Sequence, residues 1–304
     1  MTPFPAYRGD SPKKRVLAIS GSRADYGLLE WPVKVLRESF DVEFERLICY
    51  DPANAFTKAD WLMSKKTWQP DCLLILGDRW EILQAAIAAH LRRVPIAHIG
   101  GGDVTLGSYD DAMRDCISRL ATWHFPTSDK AADRLCGTSG YEGCEHGYPA
   151  SSVHMIGNIA IDYIRHGDWK RERPIDEPYV VVSYQAETID DDGDNIHELF
   201  EQLGGKKCVF ILPNMDTGRD KIEALIRGFA AKEDAIMESL PHAEFLNLLY
   251  YCDEFIGNSS AMLYEAPELN VKCRMIGKRQ AGRVKPTGDG KASERIREVL
   301  CRCL

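Results

Sequence analysis

The sequence predicts an α/β protein built from parallel strand–helix–strand units in two Rossmann-like, doubly wound domains. Three observations carry that reading. An apolar run from Leu73 ends at Gly77, a helical pattern follows from Trp80 to about Leu91, and a second apolar run, Val94 to Ile99, ends in the glycines 100–102. At 304 residues and 44% apolar content the chain can bury one large core or two ordinary ones, and two domains is the better expectation. A charged, proline-closed segment from His166 to Pro178 then divides the chain, and strand patterns resume at Tyr179.

The first half opens with a strand from Val16 to Ser20 and a turn, Gly21-Ser22-Arg23-Ala24-Asp25-Tyr26-Gly27, before a helix from about Leu28 to Glu38. A glycine turn feeding a helix N-terminus suits phosphate, because free amides and the helix dipole point at the anion, and Arg23 adds a fixed charge. It is equally the first turn of any doubly wound domain. A strand from Glu43 to Cys49 and one short helix, about Ala59 to Lys66, lead to the central unit. Ligands of parallel sheets sit outside the carboxyl ends of the strands, and both ends here carry acids. Asp78 follows the first strand; Asp103, Asp110 and Asp111 follow the second. Singly, each acid also reads as a helix N-cap. Together they form an arrangement for proton transfer, and the glycine run at 100–102 removes side chains where a ligand or another backbone comes close. Beyond Arg114 a helix runs through Ile117 and Leu120, then come a strand over 123–127, a helix over 128–135, a glycine-rich loop to Tyr148 and a strand over 153–156. His124, between Trp123 and Phe125, reads as a core residue.

The second half begins with a strand over 179–184 and the turn Gln185-Ala186-Glu187-Thr188. A strand over 208–212 ends in Pro213-Asn214-Met215-Asp216-Thr217-Gly218, followed by a helix from Arg219 to Ala231. In Phe255 to Pro267 (FIGNSSAMLYEAP) a strand end, Ser259, Ser260 and then a helix bring hydroxyls and amides to one point, suited to a diphosphate. Glu265 lies one and a half helical turns on, where an acid can hold ribose hydroxyls. In Gly277 to Arg283, Arg279 and Arg283 suit phosphate contact.

The balance of 46 acidic against 38 basic residues, a net charge of −8, argues against a nucleic-acid groove or an anionic membrane surface as partner. An anionic ligand must be held locally. The 10 cysteines are scattered, several in apolar runs, and read as reduced, small core residues of an intracellular protein. The Cys301-Arg302-Cys303 end reads as an exposed tail. The proline-containing first twelve residues read as a loose cytoplasmic leader. No cofactor and no metal are expected, since neither a dinucleotide fingerprint nor clustered ligand spacing is present.

These segments resemble the hydrolysing branch of the UDP-N-acetylglucosamine 2-epimerase family. The matching stretches are GSRADYG, GDRWE, PIAHIGGGD with Asp110 and Arg114, the Gly157-Asn158 turn, PNMDTG, FIGNSSAMLYEAP and GKRQAGR, from Val16 to Leu300. The resemblance implies two domains facing across a cleft, as in B-type glycosyltransferases. The divisions are 1–166, a linker at 167–178, 179–285, and a last helix, 286–304, returning to the first domain. Uridine and diphosphate fall to the second domain, with Asn214 in its matching motif and His242 where relatives offer an aromatic to uracil; the sugar faces the acids of the first. Two stretches are shorter than in the family, between Val42 and Gln69 and after Arg283, so a more open sugar pocket is expected. Asp115 and Gln185 stand where relatives carry histidines.

The implied reaction is loss of UDP from UDP-N-acetylglucosamine or a related 2-acetamido sugar nucleotide, then hydration to the free 2-epimeric sugar. Arg23, Ser259, Ser260, Arg279 and Arg283 would hold the leaving group, and Gln185 would orient a hydroxyl or phosphate. Asp78, Asp103 and Asp110 would carry protons, oriented by Arg79 and Arg114. UDP-sugar hydrolysis or glycosyl transfer without epimerisation, and a non-catalytic UDP-sugar sensor, are the alternatives. A homodimer or homotetramer in sialic acid-type sugar biosynthesis completes the expectation.

Overall fold

The computed structural model describes residues 12–47, 52–137, 148–187, 195–214 and 218–304. The leader at 1–11, Cys49, most of the glycine-rich loop, Thr188 and Met215 to Thr217 fall outside that range. Strands β1 (Arg15–Ser20), β2 (Asp41–Arg46), β3 (Cys72–Leu76), β4 (Ile96–Ile99) and β5 (Trp123–Phe125) form a parallel sheet in the order β2-β1-β3-β4-β5. A second parallel sheet takes β6 (Val180–Ser183), β7 (Cys208–Ile211), β8 (Ala235–Met237), β9 (Glu254–Gly257) and β10 (Cys273–Met275) in the order β10-β9-β6-β7-β8. Both are doubly wound, each with a switch in strand order, between β1 and β3 and between β6 and β9. Helices cover both faces of such sheets, so central strands are apolar throughout: every residue of β3, Cys-Leu-Leu-Ile-Leu, is buried.

On one face of the first sheet lie α1 (Arg23–Leu36), α6 (Ile159–His166) and the terminal α11 (Ala292–Cys303), through Leu29, Val33, Ile159, Ile296 and Leu300. The other face is covered by α2 (Pro52–Ser64) and α3 (Trp80–Leu91), through Ala59, Leu62, Ile82 and Ala85. Beyond them come α4 (Asp110–Leu120) and α5 (Asp129–Leu135). The second sheet is sandwiched between α7 (Asn195–Leu203) with α8 (Arg219–Phe229) and α9 (His242–Tyr251) with α10 (Ala261–Tyr264).

Several local expectations are corrected. The turn after β1 is already helix, because Ser22 is extended and its hydroxyl accepts from the Asp25 amide at 3.0 Å, an N-cap that starts α1 at Arg23 rather than Leu28. The helix before β3 starts at Pro52, earlier than the apolar pattern indicated. Residues 153–156 make one bridge, Val153 to His124, instead of a strand. Cys116 and Cys273 are exposed, unlike the buried Cys72 and Cys208, whereas Cys301 and Cys303 are exposed as expected of the tail. Among the described residues no helix is long and apolar enough to cross a membrane. Of the glycine run, Gly102 is required by backbone approach: its φ is +80°, and a Cβ there would sit 2.3 Å from the Ala131 carbonyl oxygen on α5.

The last helix has no side-chain cap of its own. Instead Asp162 of α6, fully buried, accepts from the Ala292 and Ser293 amides at 3.2 and 2.6 Å, so a carboxylate from the first domain satisfies the N-terminus of α11 and complements its dipole. Asp162→Ala leaves both amides buried and unpaired. Its urea midpoint is expected to fall by the equivalent of about 2–4 kcal/mol with an unchanged m value; an unchanged midpoint would mean that α11 is held by its apolar face alone.

Candidate active site

The loops at the carboxyl ends of both sheets face one another across a cleft of about 230 Å³. Both switch points open into it, as the ligand-binding rule for doubly wound sheets requires. The first sheet contributes Arg23 and Asp25 after β1, Asp78 and Arg79 after β3, and Asp103, Thr105 and Asp110 after β4. The second contributes Gln185 after β6, Asn214 after β7, His242 on α9, then Ser259, Ser260, Tyr264 and Glu265 after β9, and Arg279 and Arg283 after β10. All the sequence-predicted site residues line the cleft except Arg114.

Arg114 lies behind the wall, 1% exposed. Its guanidinium donates to the carboxylates of Asp78 and Asp111, to the Asp103 carbonyl at 2.9 Å and to the Thr105 hydroxyl at 3.0 Å. One buried cation thereby fixes the loops after β3 and β4. Burial opposes ionisation of Asp78, but Arg114, Arg283 and Arg279 together hold its pKa down to about 2. Asp103, 5% exposed, has its carbonyl held again by Arg134 at 3.0 Å, while its Oδ2 accepts from the hydroxyls of Tyr264 at 2.9 Å and Thr127 at 3.5 Å. Asp110 opens α4 and accepts from the Ser108 hydroxyl at 2.5 Å. Arg79 forks onto Glu81 at 3.0 and 3.2 Å.

His98 braces the strand ends from below. Burial takes its pKa down to about 4, so the ring is neutral. Its Nε2 lies 2.7 Å from the Gly77 carbonyl oxygen, which can only accept, so Nε2 carries the hydrogen and Nδ1 accepts from Ser118 at 3.1 Å. His124 is fully buried, its ring 4.0 Å from that of Tyr148, a core residue as the sequence indicated.

On the opposite wall the Gln185 amide is engaged at both ends. Its Oε1 accepts from the Asn214 amide at 2.8 Å and its Nε2 donates to Ser183 at 3.4 Å, while its main chain exchanges two bonds with the side chain of Asn258. Ser259 accepts from the Ala261 amide at 3.3 Å, and Ser260, the N-cap of α10, makes no side-chain cap bond. Glu187, 7% exposed, accepts from the amides of Lys278 at 2.8 Å and Arg279 at 3.3 Å and thus shapes the loop that brings both arginines inward. His242 is no exposed loop residue. Its side chain is 5% exposed, its ring tilted against that of Tyr163 with centres 4.5 Å apart, with Nε2 3.6 Å from Glu265. Gly27 sits against it: a Cβ at residue 27 would lie 2.5 Å from that of His242. Asp115 points away from the cleft, 58% exposed and 3.6 Å from Arg134. Among the described residues no group of three or more His, Cys, Asp or Glu side chains converges as metal ligands would.

A family model described as UDP-N-acetylglucosamine 2-epimerase matches residues 57–299. The chain belongs to that family. Among curated relatives, the chain is 27% identical to the polysialic acid biosynthesis protein P7 of Escherichia coli, over 90% of this chain and 81% of that protein. It is 25% identical to the UDP-N,N'-diacetylbacillosamine 2-epimerase (hydrolyzing) of Legionella pneumophila, over 88% and 82%. The fold is that of the UDP-GlcNAc 2-epimerase of Methanocaldococcus jannaschii in complex with UDP-GlcNAc and UDP, with a TM-score of 0.75 at 16% identity, covering 95% and 99% of the two chains. Two Rossmann-like domains facing across a cleft are therefore the architecture of this chain.

Sequence reasoning passed over two residues of the cleft, Tyr264 and Asp25. Tyr264 gave no polar signal, being an aromatic in a helical stretch. Asp25 lay inside a quoted motif, yet only the helix start at Arg23 turns it inward beside Asp78. Burial pushes its pKa up to about 6 from 3.8, with Asp78 and Glu81 adding to the shift and Arg79 and Ser22 moderating it. Between those two values the folded chain retains a proton that the unfolded chain has released, so stability falls as pH rises through this window and the full penalty applies above it. Asp25→Asn keeps the shape and removes the charge. Thermal unfolding is expected to show a melting temperature raised by roughly 2–5 °C at pH 7.5 and unchanged at pH 4; a gain of equal size at both would assign the effect to something other than the charge.

Proposed function

We propose that the chain is a hydrolysing 2-epimerase for UDP-N-acetylglucosamine or a related UDP-2-acetamido sugar. The observation that carries this reading is the division of the cleft, with carboxylates on the first wall and hydroxyls and arginines on the second. The "(hydrolyzing)" designation of the Legionella pneumophila relative adds support. A carboxylate removes the proton at C2 while the bond from C1 to the phosphate oxygen breaks. The C–H electron pair becomes the C1–C2 double bond, and the C1–O pair leaves with UDP. Water then gives its hydroxyl to C1 as a carboxylate takes its other proton, and a carboxyl supplies a proton to C2 from the other face, giving UDP and the free 2-epimer. Arg23, Arg279 and Arg283 with Ser259 and Ser260 meet the charge growing on the leaving phosphate. Asp78, held ionised, stays a fixed charge, so the proton transfers fall to Asp103 and Asp110, with Asp25 able to exchange protons near neutral pH. Glu265 takes the ribose hydroxyls and His242 lies beside it for the base.

One observation favours a second reading, cleavage without epimerisation. Gln185, where the resemblance implies a histidine, has its amide committed to Asn214 and Ser183 and cannot move a proton. Turnover of UDP-N-acetylglucosamine in deuterated water separates the two by NMR of the sugar. The expected product is N-acetylmannosamine with deuterium at C2, and Asp103→Asn is expected to slow its formation by about 100-fold or more. N-acetylglucosamine without deuterium would establish simple hydrolysis, and tight binding without turnover a sensor.

Binding tests the other wall. By calorimetry UDP is expected to bind the parent chain and to bind Ser260→Ala and Glu265→Ala about tenfold or more weakly. Equal affinity in all three would remove the nucleotide from this wall.

A further inference from the structure

The acid most enclosed by the cleft is oriented from the wrong side of it. Everything that fixes the main chain of Asp103 comes from the first domain: Arg114 and Arg134 donate to its carbonyl at 2.9 and 3.0 Å. Its carboxylate is governed from the second. The Tyr264 hydroxyl donates to Oδ2 at 2.9 Å, a well-formed bond, whereas Thr127 of the first domain reaches the same oxygen only at 3.5 Å. The terminal torsion of an aspartate is broad and two-fold, so its carboxylate takes its orientation from its strongest partner.

Tyr264 is itself held firmly. It ends α10, the turn that begins at Ser260. Its carbonyl accepts from the Asn158 side chain of the first domain at 2.8 Å, and the Arg283 guanidinium lies 5.3 Å from its ring centre. Ser259 and Ser260, Tyr264, Glu265 and Arg283 all line the cleft, so the residue that touches the acid belongs to the same short segment that meets the leaving phosphate.

We infer that Tyr264 is a positioning residue, which sets the Asp103 carboxylate across the cleft and ties its orientation to the nucleotide-facing segment 259–265. This rests on the proposed function for its kinetic consequence, though not for the contact itself. Tyr264→Phe removes only the hydroxyl and keeps the ring under Arg283. With UDP-N-acetylglucosamine, kcat is expected to fall about 10- to 100-fold, with KM and the UDP dissociation constant each within about threefold of the parent. In the double variant with Asp103→Asn the tyrosine change is expected to cost nothing further, because its effect passes through that carboxylate; a general structural role would multiply the two losses.

A crystal structure of the ligand-free Tyr264→Phe variant provides an arm that needs no turnover: the Asp103 carboxylate is expected to rotate away from its parental orientation, while its main chain, held by Arg114 and Arg134, stays in place. A folded Tyr264→Phe with parental kcat, or a full additional loss on the Asp103→Asn background, overturns the inference. If the parent chain does not turn over any UDP-2-acetamido sugar, the functional reading fails, and the structural arm alone decides the positioning role, an unmoved Asp103 carboxylate in Tyr264→Phe overturning it.

Discussion

The cleft depends on a guanidinium that never reaches it. Burying an arginine costs several kcal/mol unless its donors are met, and Arg114 meets that cost with two carboxylates, a carbonyl and a hydroxyl drawn from the loops after β3 and β4. Those acceptors are the reason the loops have one conformation. Asp78 cannot turn away without stranding a buried charge, and the chain between Asp103 and Asp111 must curl back so that both its ends reach the same cation. The acids of the first wall are thus arranged as the coordination of Arg114, and their convergence follows from its burial.

A chain with net charge −8 must gather positive potential locally to hold a nucleotide, and the second wall does so by backbone means. Glu187 is an acid placed next to arginines, yet it faces the amides of residues 278 and 279 and leaves the guanidinium of Arg279 on the cleft side. Asn258 performs the matching task between β6 and β9, its side chain paired with the main chain of Gln185 and its carbonyl accepting from Gln280 at 2.9 Å. Buried polar side chains pinned by main-chain partners shape this wall and bring its charged and hydroxylic groups to the cleft. Across the cleft the same logic splits the carboxylates. Three arginines keep Asp78 ionised, while Asp25, buried beside two other acids, titrates near neutrality.

How far the sequence revealed this depends on whether a residue's environment is local. The strands β1, β3, β4, β6 and β9 were legible because parallel strands between helix layers must be apolar on both faces. The edge strands β8 and β10 were not: their residues are only partly buried or exposed, so no apolar run marks them. The start of α1 was misplaced because Ser-Arg-Ala-Asp and two glycines read as a turn, when Ser22 is a cap and Gly27 makes room for His242 on a helix more than two hundred residues later. Motif acids and arginines were found by their chemistry and spacing. Tyr264 was missed because its meaning lies in Asp103, 161 positions away, and nothing in a helical stretch distinguishes a tyrosine that crosses a cleft from one that fills a core.

Positions 115 and 185, where the resemblance implies histidines, can then be weighed by place rather than by number. Asp115 sits on the outer side of α4 in a surface pair with Arg134, and exposed pairs of that kind contribute little. A residue placed there cannot act directly on a bound sugar. Gln185 does line the cleft, and an amide there ties the loops after β6 and β7 together through Ser183 and Asn214. An imidazole offers one donor and one acceptor that exchange with a proton; this amide spends both on the protein. Under the proposed reading, a wall that can no longer move a proton is tolerable only if every proton step is carried by the facing carboxylates. Those carboxylates then need an orienting contact from the opposite wall that is not itself a base. A tyrosine hydroxyl, its pKa raised to about 12 by burial, meets that requirement: it remains a donor throughout the working pH range and leaves the transfer to Asp103.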